Sequence, residues 1–448
     1  MKKIINARIV NEGKTFLGDV LIDGENISKI ISRKEITKNI EDKDLEIIDA
    51  KGKLLIPGVI DDQVHFREPG LTNKADIYSE SKAAVAGGVT SFMEMPNTIP
   101  QSTTIENLEA KYKLASEKSL ANYSFYFGAT NDNIDELLKV DPKNVCGIKV
   151  FMGASTGNML VDNPKTLENI FSKSKLLVAI HSEKEEIIQK NIIKFKEKYG
   201  EDVPIKYHPE IRSVEACFKS TELAVKLAKK HGTRLHVLHL STAKEMELFD
   251  NSILLKDKKI TAEVCVHHLW FDNNDYEKLG TLIKWNPAIK SPKDKNALFD
   301  ALLNNKLDVV ATDHAPHLLE EKKQTYFKAP SGGPLVQHSL PVMLEFYHDK
   351  KITIERIVEK MCHAPAVCFN VEKRGFIREG YKADLVLVDT NNSWRVNKSN
   401  ILYKCGWSPF ENYLFRSKIT HTFVNGKLVF IEDSFNENVK GQRLKFDR

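Results

Sequence analysis

The chain lacks the features that mark secreted and membrane-spanning proteins. Its 448 residues include only six cysteines, and none of them forms a C-x-x-C pair, so no disulfide framework is indicated. No apolar run is long enough to cross a membrane, and the first residues, "MKKIINARIVNEGK", lack the sustained apolar region of a signal peptide. These absences predict a cytoplasmic protein, kept reduced, with no membrane partner.

The sequence also lacks features that mark nucleic-acid-binding and nucleotide-binding proteins. The net charge of +5 comes from lysines spread along the chain without a dense basic tract, so binding to nucleic acid is not indicated. No G-x-G-x-x-G follows the early strand-like runs, and the segment "SGGPLVQHSL" lacks the Lys-Ser/Thr of a phosphate-binding loop. That segment predicts a flexible loop instead. With 42% hydrophobic residues, the composition is that of a globular protein with a large core.

Short apolar runs alternate with helix-like stretches through the middle of the chain. Segments 104–118, 210–231 and 293–304 are helix-like. Eight strands joined by helices predict a (β/α)₈ barrel of the TIM type, with an open doubly wound sheet as the alternative. The eight predicted strands are "LLIPGVIDDQVHF" (54–66), "VTSFMEM" (89–95), "YSFYFGA" (123–129), "CGIKVFM" (146–152), "LLVAIHS" (176–182), "RLHVLHL" (234–240), "ITAEVCVHHL" (260–269) and "LDVVATDHAP" (307–316).

Both ends of the chain have the pattern of short strands and turns. The head contains the β-rich runs "KIINARIV" and "GDVLIDGENISKII", and the tail contains "GFIREGYKADLVLVD" and "THTFVNGKLVF". The Asn-Gly pair in the tail is a strong hairpin signal. Head and tail are predicted to pair into one small β-sandwich domain, formed by residues 1–53 and 371–448, around a barrel of residues 54–370.

Five of the eight strands carry a potential metal ligand towards their C-terminal end. In a barrel these ends converge on one mouth, where active sites form. Each residue alone has an ordinary explanation as a hydrogen-bonded core histidine, a solvated lysine or a helix-capping aspartate. Their joint placement predicts a metal site formed by His65, Lys149, His181, His239 and Asp313.

Lys149 requires a chemical change before it can bind a cation. A neutral amine can take up carbon dioxide and become a carbamate, whose two oxygens can bridge two metal ions, and burial between cations favours the neutral amine. Oxygen and imidazole ligands together suit zinc. Two zinc ions could share a hydroxide nucleophile formed near neutral pH.

The first predicted strand raises a question about this metal site. Because strand side chains alternate, Asp61, Gln63, His65 and Arg67 are expected to share one face. This face is expected to point into the mouth of the barrel. Asp62 is expected to point the other way unless the strand bulges. A metal hydrolase would place histidine at two alternate positions here, whereas this chain has Gln63 before His65.

Five segments together resemble signatures of the amidohydrolase superfamily and, within it, of the dihydroorotases. "PGVIDDQVHFREPG" is similar to the first-strand signature, D-x-H-x-H-x-R followed by E-P-G, and "ATDHAPHLLEEK" is similar to the last-strand signature. "GIKVFMG" resembles the strand with the carboxylated lysine, and "MEMPNT" and "KWNPAI" resemble substrate-binding segments. The resemblance covers nearly the whole chain.

The resemblance implies zinc-dependent, reversible hydrolysis of (S)-dihydroorotate to N-carbamoyl-L-aspartate in de novo pyrimidine biosynthesis. It implies that His65, the Lys149 carbamate and Asp313 hold the more buried zinc. The same carbamate would hold the second zinc with His181 and His239. Asp313 would also be the general base and later the acid that protonates the leaving nitrogen.

The resemblance also implies a set of substrate-binding residues. Arg67, Asn97 and His317 would bind the substrate carboxylate, for which the planar fork of arginine is well suited. Asn286 would bind the amide groups of the ring. The implied partner is therefore a small molecule. A homo-oligomer and an aspartate carbamoyltransferase partner are left open.

Gln63 departs from the pattern that the resemblance implies, because histidine is expected there. An amide oxygen is a weaker zinc ligand than an imidazole. We therefore expect one tightly bound zinc, and weaker binding of the zinc held by His65 and Asp313. One alternative is another cyclic-amide hydrolase, of the allantoinase or hydantoinase type. The other is a non-catalytic, dihydroorotase-like scaffold, for which Gln63 is the main support.

Overall fold

The strands coincide with the short apolar runs of the sequence. The computed structural model describes residues 1–32, 45–153 and 159–448. In this part of the chain the strands are β1 (Lys2–Asn11), β2 (Lys14–Asp23), β3 (Asn26–Ser32), β4 (Glu46–Asp49), β5 (Leu54–Pro57), β6 (Val59–Val64), β7 (Val89–Glu94), β8 (Asn122–Phe125), β9 (Phe127–Gly128), β10 (Ile148–Phe151), β11 (Val178–His181), β12 (Leu235–Val237), β13 (Ile260–Cys265), β14 (Val309–Ala311), β15 (Leu385–Asp389), β16 (Trp394–Arg395), β17 (Leu414–Phe415), β18 (Lys418–Val424), β19 (Lys427–Ile431) and β20 (Ser434–Phe435).

Within the described residues, eight parallel strands form a closed barrel, as predicted. β6, β7 and β8 pair side by side, and β9 to β14 pair in chain order. β8 and β9 count as one strand, interrupted only at Tyr126. A parallel bridge between Val64 and His314 closes the circle. Two predicted strands are too long. The run 54–66 contains two strands, of which β5 pairs with β1 and β15 outside the barrel and only β6 is a barrel strand. β13 ends at Cys265, and the next apolar residues form a helix, which periodicity cannot distinguish from a buried strand over so short a run.

Helices connect the barrel strands and cover their outer faces. The predicted stretches 104–118, 210–231 and 293–304 correspond to helices that begin at serine or threonine N-caps and end near the predicted residues. Among the described residues, no helix combines the length and the apolar character needed to cross a bilayer. The helices are α1 (Ile77–Ala86), α2 (Ile105–Lys118), α3 (Ile134–Leu137), α4 (Pro164–Lys173), α5 (Glu185–Tyr199), α6 (His208–Ile211), α7 (Val214–His231), α8 (Val266–Trp270), α9 (Tyr276–Leu279), α10 (Pro292–Leu303), α11 (Leu319–Lys322), α12 (Ser339–His348), α13 (Ile354–Val358) and α14 (Ala364–Phe369).

The two ends of the chain form the predicted β domain. In the described residues its strand order is β20-β19-β18-β15-β5-β1-β2-β3, with β4 beside β1. Asn425 and Gly426 join β18 to β19 with φ values of 50° and 72°, as a type I′ hairpin requires. The boundaries at 53/54 and 370/371 stay a prediction. Head and tail share an apolar core that includes Ile4, Ile9, Val20, Ile22, Leu55, Leu385, Leu387 and Phe423.

β6 departs from regular strand geometry directly below the mouth of the barrel. Its register against β7 shifts between Asp61 and Val64, so the simple alternation of faces fails there. Asp62 consequently points into the barrel, with its Oδ2 3.0 Å from His236 Nε2. Gln63 still reaches the mouth. The alternation alone placed Asp62 on the opposite face, and the bulge is the physical reason for the difference.

Candidate active site

The C-terminal ends of the barrel strands open into a cavity of 320 Å³. Phe151, Ala315 and residues 330–332 form part of its wall. The residues singled out from the sequence converge on this cavity although they are far apart in the chain, because each follows a different barrel strand or connecting segment. They are Gln63, His65, Arg67, Asn97, Lys149, His181, His239, Asn286, Asp313 and His317.

Three of these residues have backbone conformations that residues other than glycine rarely adopt. Arg67, His239 and Asp313 have φ values of 69°, 38° and 47°. Such a conformation costs roughly 1–3 kcal/mol per residue and persists only where the surrounding structure enforces it. The barrel therefore holds these side chains in place at the expense of local backbone energy, which is typical of functional sites.

Two imidazoles face each other on neighbouring strands. His181 Nδ1 lies 3.0 Å from His239 Nε2. Burial, followed by the charge interaction with His181, lowers the pKa of His239 well below its usual value, which favours the neutral, metal-binding imidazole of His239. Adjacent ligands of a tetrahedral zinc ion lie about 3.3 Å apart. The pair therefore fits a zinc ion.

A buried carboxylate lies next to the other ring nitrogen of His181, Nε2. His181 Nε2 lies 3.1 Å from Glu183 Oε2, and Glu183 is in turn paired with Arg212. Although burial opposes ionisation, Arg212 and His181 lower the pKa of Glu183 to about 2. A carboxylate on the second nitrogen fixes the orientation and tautomer of a metal-binding histidine. Glu183 and Arg212 were not identified from the sequence, and no motif signals them.

A second pair of potential ligands lies across the cavity. His65 Nε2 is 3.1 Å from Asp313 Oδ1, and His65 Nδ1 is 2.8 Å from Asn97 Oδ1. Burial lowers the pKa of His65, which favours the neutral, metal-binding imidazole. Gln63 does not complete this pair as a ligand, because its Nε2 donates a hydrogen bond to Asp313 Oδ1 at 3.1 Å.

Lys149 stands between the two pairs as a buried amine. It is 1% exposed, and among the described residues its Nζ forms no hydrogen bond or ion pair and lies 4.7 Å from the centre of the Phe151 ring. Burial lowers the pKa of Lys149 to about 7, against the attraction of Asp313. A large share of this side chain is thus neutral near pH 7, which is the form that takes up carbon dioxide.

The outer end of the cavity carries positive charge and free acceptors. Arg67 Nε donates to the carbonyl of Pro316 at 3.1 Å, and its Nη2 lies 3.0 Å from His317 Nε2. Lys74 Nζ lies 3.0 Å from His317 Nδ1. Within the described residues, Asn286 Oδ1 is buried without a hydrogen-bond partner. This end can bind a carboxylate together with an amide N–H.

Lys322 fastens the segment that covers one side of the cavity. Its Nζ donates to the carbonyls of Pro330 at 2.8 Å, Gly332 at 2.7 Å and Lys284 at 3.1 Å. The sequence indicated a loop at "SGGPLVQHSL", and Ser331 and Gly332 do line the cavity. Lys322 was singled out as part of the last-strand signature "ATDHAPHLLEEK", but its anchoring role was not predicted, because a buried lysine leaves no periodic signal.

A buried ionic cluster lies beneath the cavity. His236 Nε2 is 3.0 Å from Asp62 Oδ2 and 3.5 Å from Glu263 Oε2, and these three groups are close enough together to hold a cation. Although burial opposes the charge, Asp62 and Glu263 raise the pKa of His236 to about 9, so a proton already occupies this position at neutral pH. The cluster is a buried ion pair network.

A barrel that gathers imidazoles, a reactive lysine and an aspartate at its strand ends has the architecture of the metal-dependent barrel hydrolases. The sequence model of the amidohydrolase family matches residues 54–429, and the chain belongs to this family.

Individual relatives narrow the comparison. The dihydroorotase of Pyrococcus furiosus is 33% identical over 99% of this chain and 96% of that protein. The dihydroorotase of Methanosarcina acetivorans is 32% identical over 97% of this chain and 92% of its own length. Among solved structures, the L-hydantoinase of Arthrobacter aurescens superposes with a TM-score of 0.92 at 27% identity, covering 99% of each chain.

Proposed function

We propose that this chain catalyses the reversible hydrolysis of (S)-dihydroorotate to N-carbamoyl-L-aspartate in de novo pyrimidine biosynthesis. Its similarity to dihydroorotases over nearly the full length supports this assignment. The observation that carries it is the polarity of the cavity: metal-ligating groups lie at the inner end, and Arg67 and His317 lie at the outer end, where Lys74 contacts His317 from outside the cavity. Dihydroorotate has the matching polarity, with a ring amide at one end and a carboxylate at the other.

We assign the metal to zinc, held by residues on both sides of Lys149. His181, His239 and a carbamate on Lys149 would hold one ion, and His65, Asp313 and the same carbamate would hold the other. The donor set of imidazole nitrogens and carboxylate-type oxygens fits zinc. When bound, zinc polarises the ring carbonyl and lowers the pKa of water. The site of His65 and Asp313 has one ligand fewer than the resemblance implies, because glutamine stands at position 63, where histidine is expected.

The protein's own side chains bind the substrate and move its protons. Arg67 and His317, with Asn97, bind the carboxylate, and the free Oδ1 of Asn286 accepts a hydrogen bond from a ring N–H. Asp313 accepts a proton from the attacking water and returns it to the ring nitrogen as the C–N bond breaks. The reverse sequence closes the ring.

The setting proposed for this reaction is the cytoplasm, with a small-molecule partner and with neither nucleic acid nor membrane as a partner. A homo-oligomer is compatible with the fold. A second candidate function has one specific observation in its favour, which is the TM-score of 0.92 against an L-hydantoinase. Hydantoinase-type substrates lack the carboxylate, so the charged end of the cavity is what separates the two functions.

The test compares L-dihydroorotate with dihydrouracil, which differs from it only by the missing carboxylate. Purified protein is supplied with zinc and bicarbonate, and ring opening is followed by ultraviolet absorbance. Charge-assisted hydrogen bonds to the carboxylate predict a preference for dihydroorotate of ~10- to 100-fold in kcat/KM. Asp313→Asn protein, purified in the same way, controls for contaminating host enzyme.

Each result has a defined meaning. A preference for dihydrouracil, hydantoin or allantoin overturns the substrate assignment and keeps the amidohydrolase chemistry. Folded protein that opens none of these rings overturns the enzymatic assignment and supports a scaffold role.

A further inference from the structure

The side-chain amide of Gln63 lies between Asp313 and Cys265. Its Nε2 donates to Asp313 Oδ1 at 3.1 Å, and its Oε1 lies 3.8 Å from Cys265 Sγ. Gln63 and Cys265 are 1% and 0% exposed, so water does not compete for either contact. Cys265 is the last residue of β13, one strand away from β14 and Asp313.

The opposite orientation of this amide is unfavourable on the Asp313 side. Turning it over would remove the hydrogen bond that Gln63 Nε2 donates to Asp313 Oδ1 at 3.1 Å. Cys265 does not decide the orientation, because its Sγ lies closer to Glu263 Oε1, at 3.5 Å, than to Gln63 Oε1. Asp313 therefore favours the orientation in which the nitrogen faces the metal-ligating side of the cavity.

This orientation determines what Gln63 can do at a metal centre. A glutamine binds a cation only through its amide oxygen, because the amide nitrogen has no available lone pair. Here the oxygen points towards Cys265, away from His65 and Asp313. The N–H group in addition occupies a lone pair of Asp313 Oδ1, which would otherwise be directed at a metal ion.

We propose that Gln63 is not a metal ligand and that its hydrogen bond to Asp313 makes this a centre with one tightly bound metal ion, held by His181, His239 and Lys149. The inference rests on the proposed function only in taking the cavity as the metal site. The sequence led to the expectation that the amide oxygen of Gln63 binds zinc weakly. The orientation of the amide gives a structural reason why this oxygen does not bind the metal. The first position keeps just His65, Asp313 and the lysine, and Asp313 is already engaged by a hydrogen bond.

The test counts metal ions in matched variants. Protein is loaded with zinc and bicarbonate, freed of weakly bound metal by gel filtration, and analysed by mass spectrometry of the metal. We expect one zinc per chain in the parent protein and in Gln63→Met, which has a similar shape and no amide. We expect two in Gln63→His. Two ions in the parent, or a loss of zinc in Gln63→Met, would overturn the inference.

Cobalt reports on Cys265 independently. With Co²⁺ in place of zinc, we expect the parent and Cys265→Ala to show the same visible spectrum, without a sulfur-to-cobalt charge-transfer band. Cys217→Ala, which removes a buried thiol in helix α7, is the matched control. A charge-transfer band that disappears only in Cys265→Ala would show that the thiolate is a ligand and would contradict the proposal.

These measurements separate the inference from the function. Two bound ions with dihydroorotate turnover refute the inference alone. One bound ion without turnover refutes the function alone. If Gln63→His fails to fold, the parent and Gln63→Met counts still decide the question.

Discussion

The lowered pKa of Lys149 predicts how readily this residue is carboxylated at different pH values. With a pKa of about 7, about half of the Lys149 side chains are neutral at pH 7, against about 0.03% for a lysine with the usual pKa. The neutral fraction falls to about 0.1 at pH 6 and rises to about 0.9 at pH 8. At a fixed pressure of carbon dioxide, the rate of carbamate formation should follow this fraction.

The assay begins with metal-free protein from which carbon dioxide has been removed at low pH. Addition of ¹³C-labelled carbon dioxide allows the carbamate carbon to be followed by NMR. We expect the rate to rise about fivefold from pH 6 to pH 7 and less than twofold from pH 7 to pH 8. Lys284 also has a pKa lowered to about 7 by burial, but its Nζ donates to two backbone carbonyls. Lys149→Met should therefore abolish the fast signal.

A tenfold rise in rate per pH unit from pH 7 to pH 9 would refute this reasoning, because it is the behaviour of a lysine with an ordinary pKa. A fast carbamate signal that persists in Lys149→Met would place the reactive amine elsewhere.

Three further predictions concern other parts of the site and the barrel. Arg67→Met should lower kcat/KM for dihydroorotate ~10- to 100-fold, because a charge-assisted carboxylate contact is lost, and should leave kcat/KM for dihydrouracil unchanged. Asp313→Asn should lower kcat by ~10²- to 10⁴-fold, because the proton acceptor is lost, in single-turnover as well as steady-state kinetics. Protonated His236, whose pKa is raised to about 9, stabilises the fold fully below its usual pKa of 6.5. Up to about 3 kcal/mol should be lost as the pH rises through 9. Urea unfolding from about pH 7 to about pH 9.5 should show this loss in the parent and not in His236→Gln.

The barrel and the convergence of its polar residues could be predicted because their signals are local. A parallel strand buried on both faces is a short apolar run, and a helix that covers it has its own cap and period. Once eight such units are recognised, the barrel rule places the ends of β6, β10, β11, β12 and β14 at one mouth. Residues as distant as His65 and Asp313 then become neighbours without any knowledge of their contacts.

What the sequence could not supply depends on contacts between distant side chains. The bulge between Asp61 and Val64 has no marker in the local pattern, so the turn of Asp62 into the barrel was not predictable. The same is true of the amide of Gln63, whose orientation depends on Asp313, about 250 positions away. Strand periodicity gives the face of a residue and leaves the direction of its polar atoms undetermined.

The strained backbone of the site is held by side chains from the layer below it. Glu263 Oε1 accepts the backbone N–H of His239 at 2.9 Å. Next to Asp313, Thr312 Oγ1 accepts the backbone N–H of His314 at 3.0 Å and donates to Asp61 at 2.6 Å. The residues that make these bonds do not line the cavity, so the left-handed conformations of His239 and Asp313 are supported from the barrel beneath it. Because this support comes from outside the cavity, a substitution such as Gln63 can change the lining of the site without requiring the fold to change.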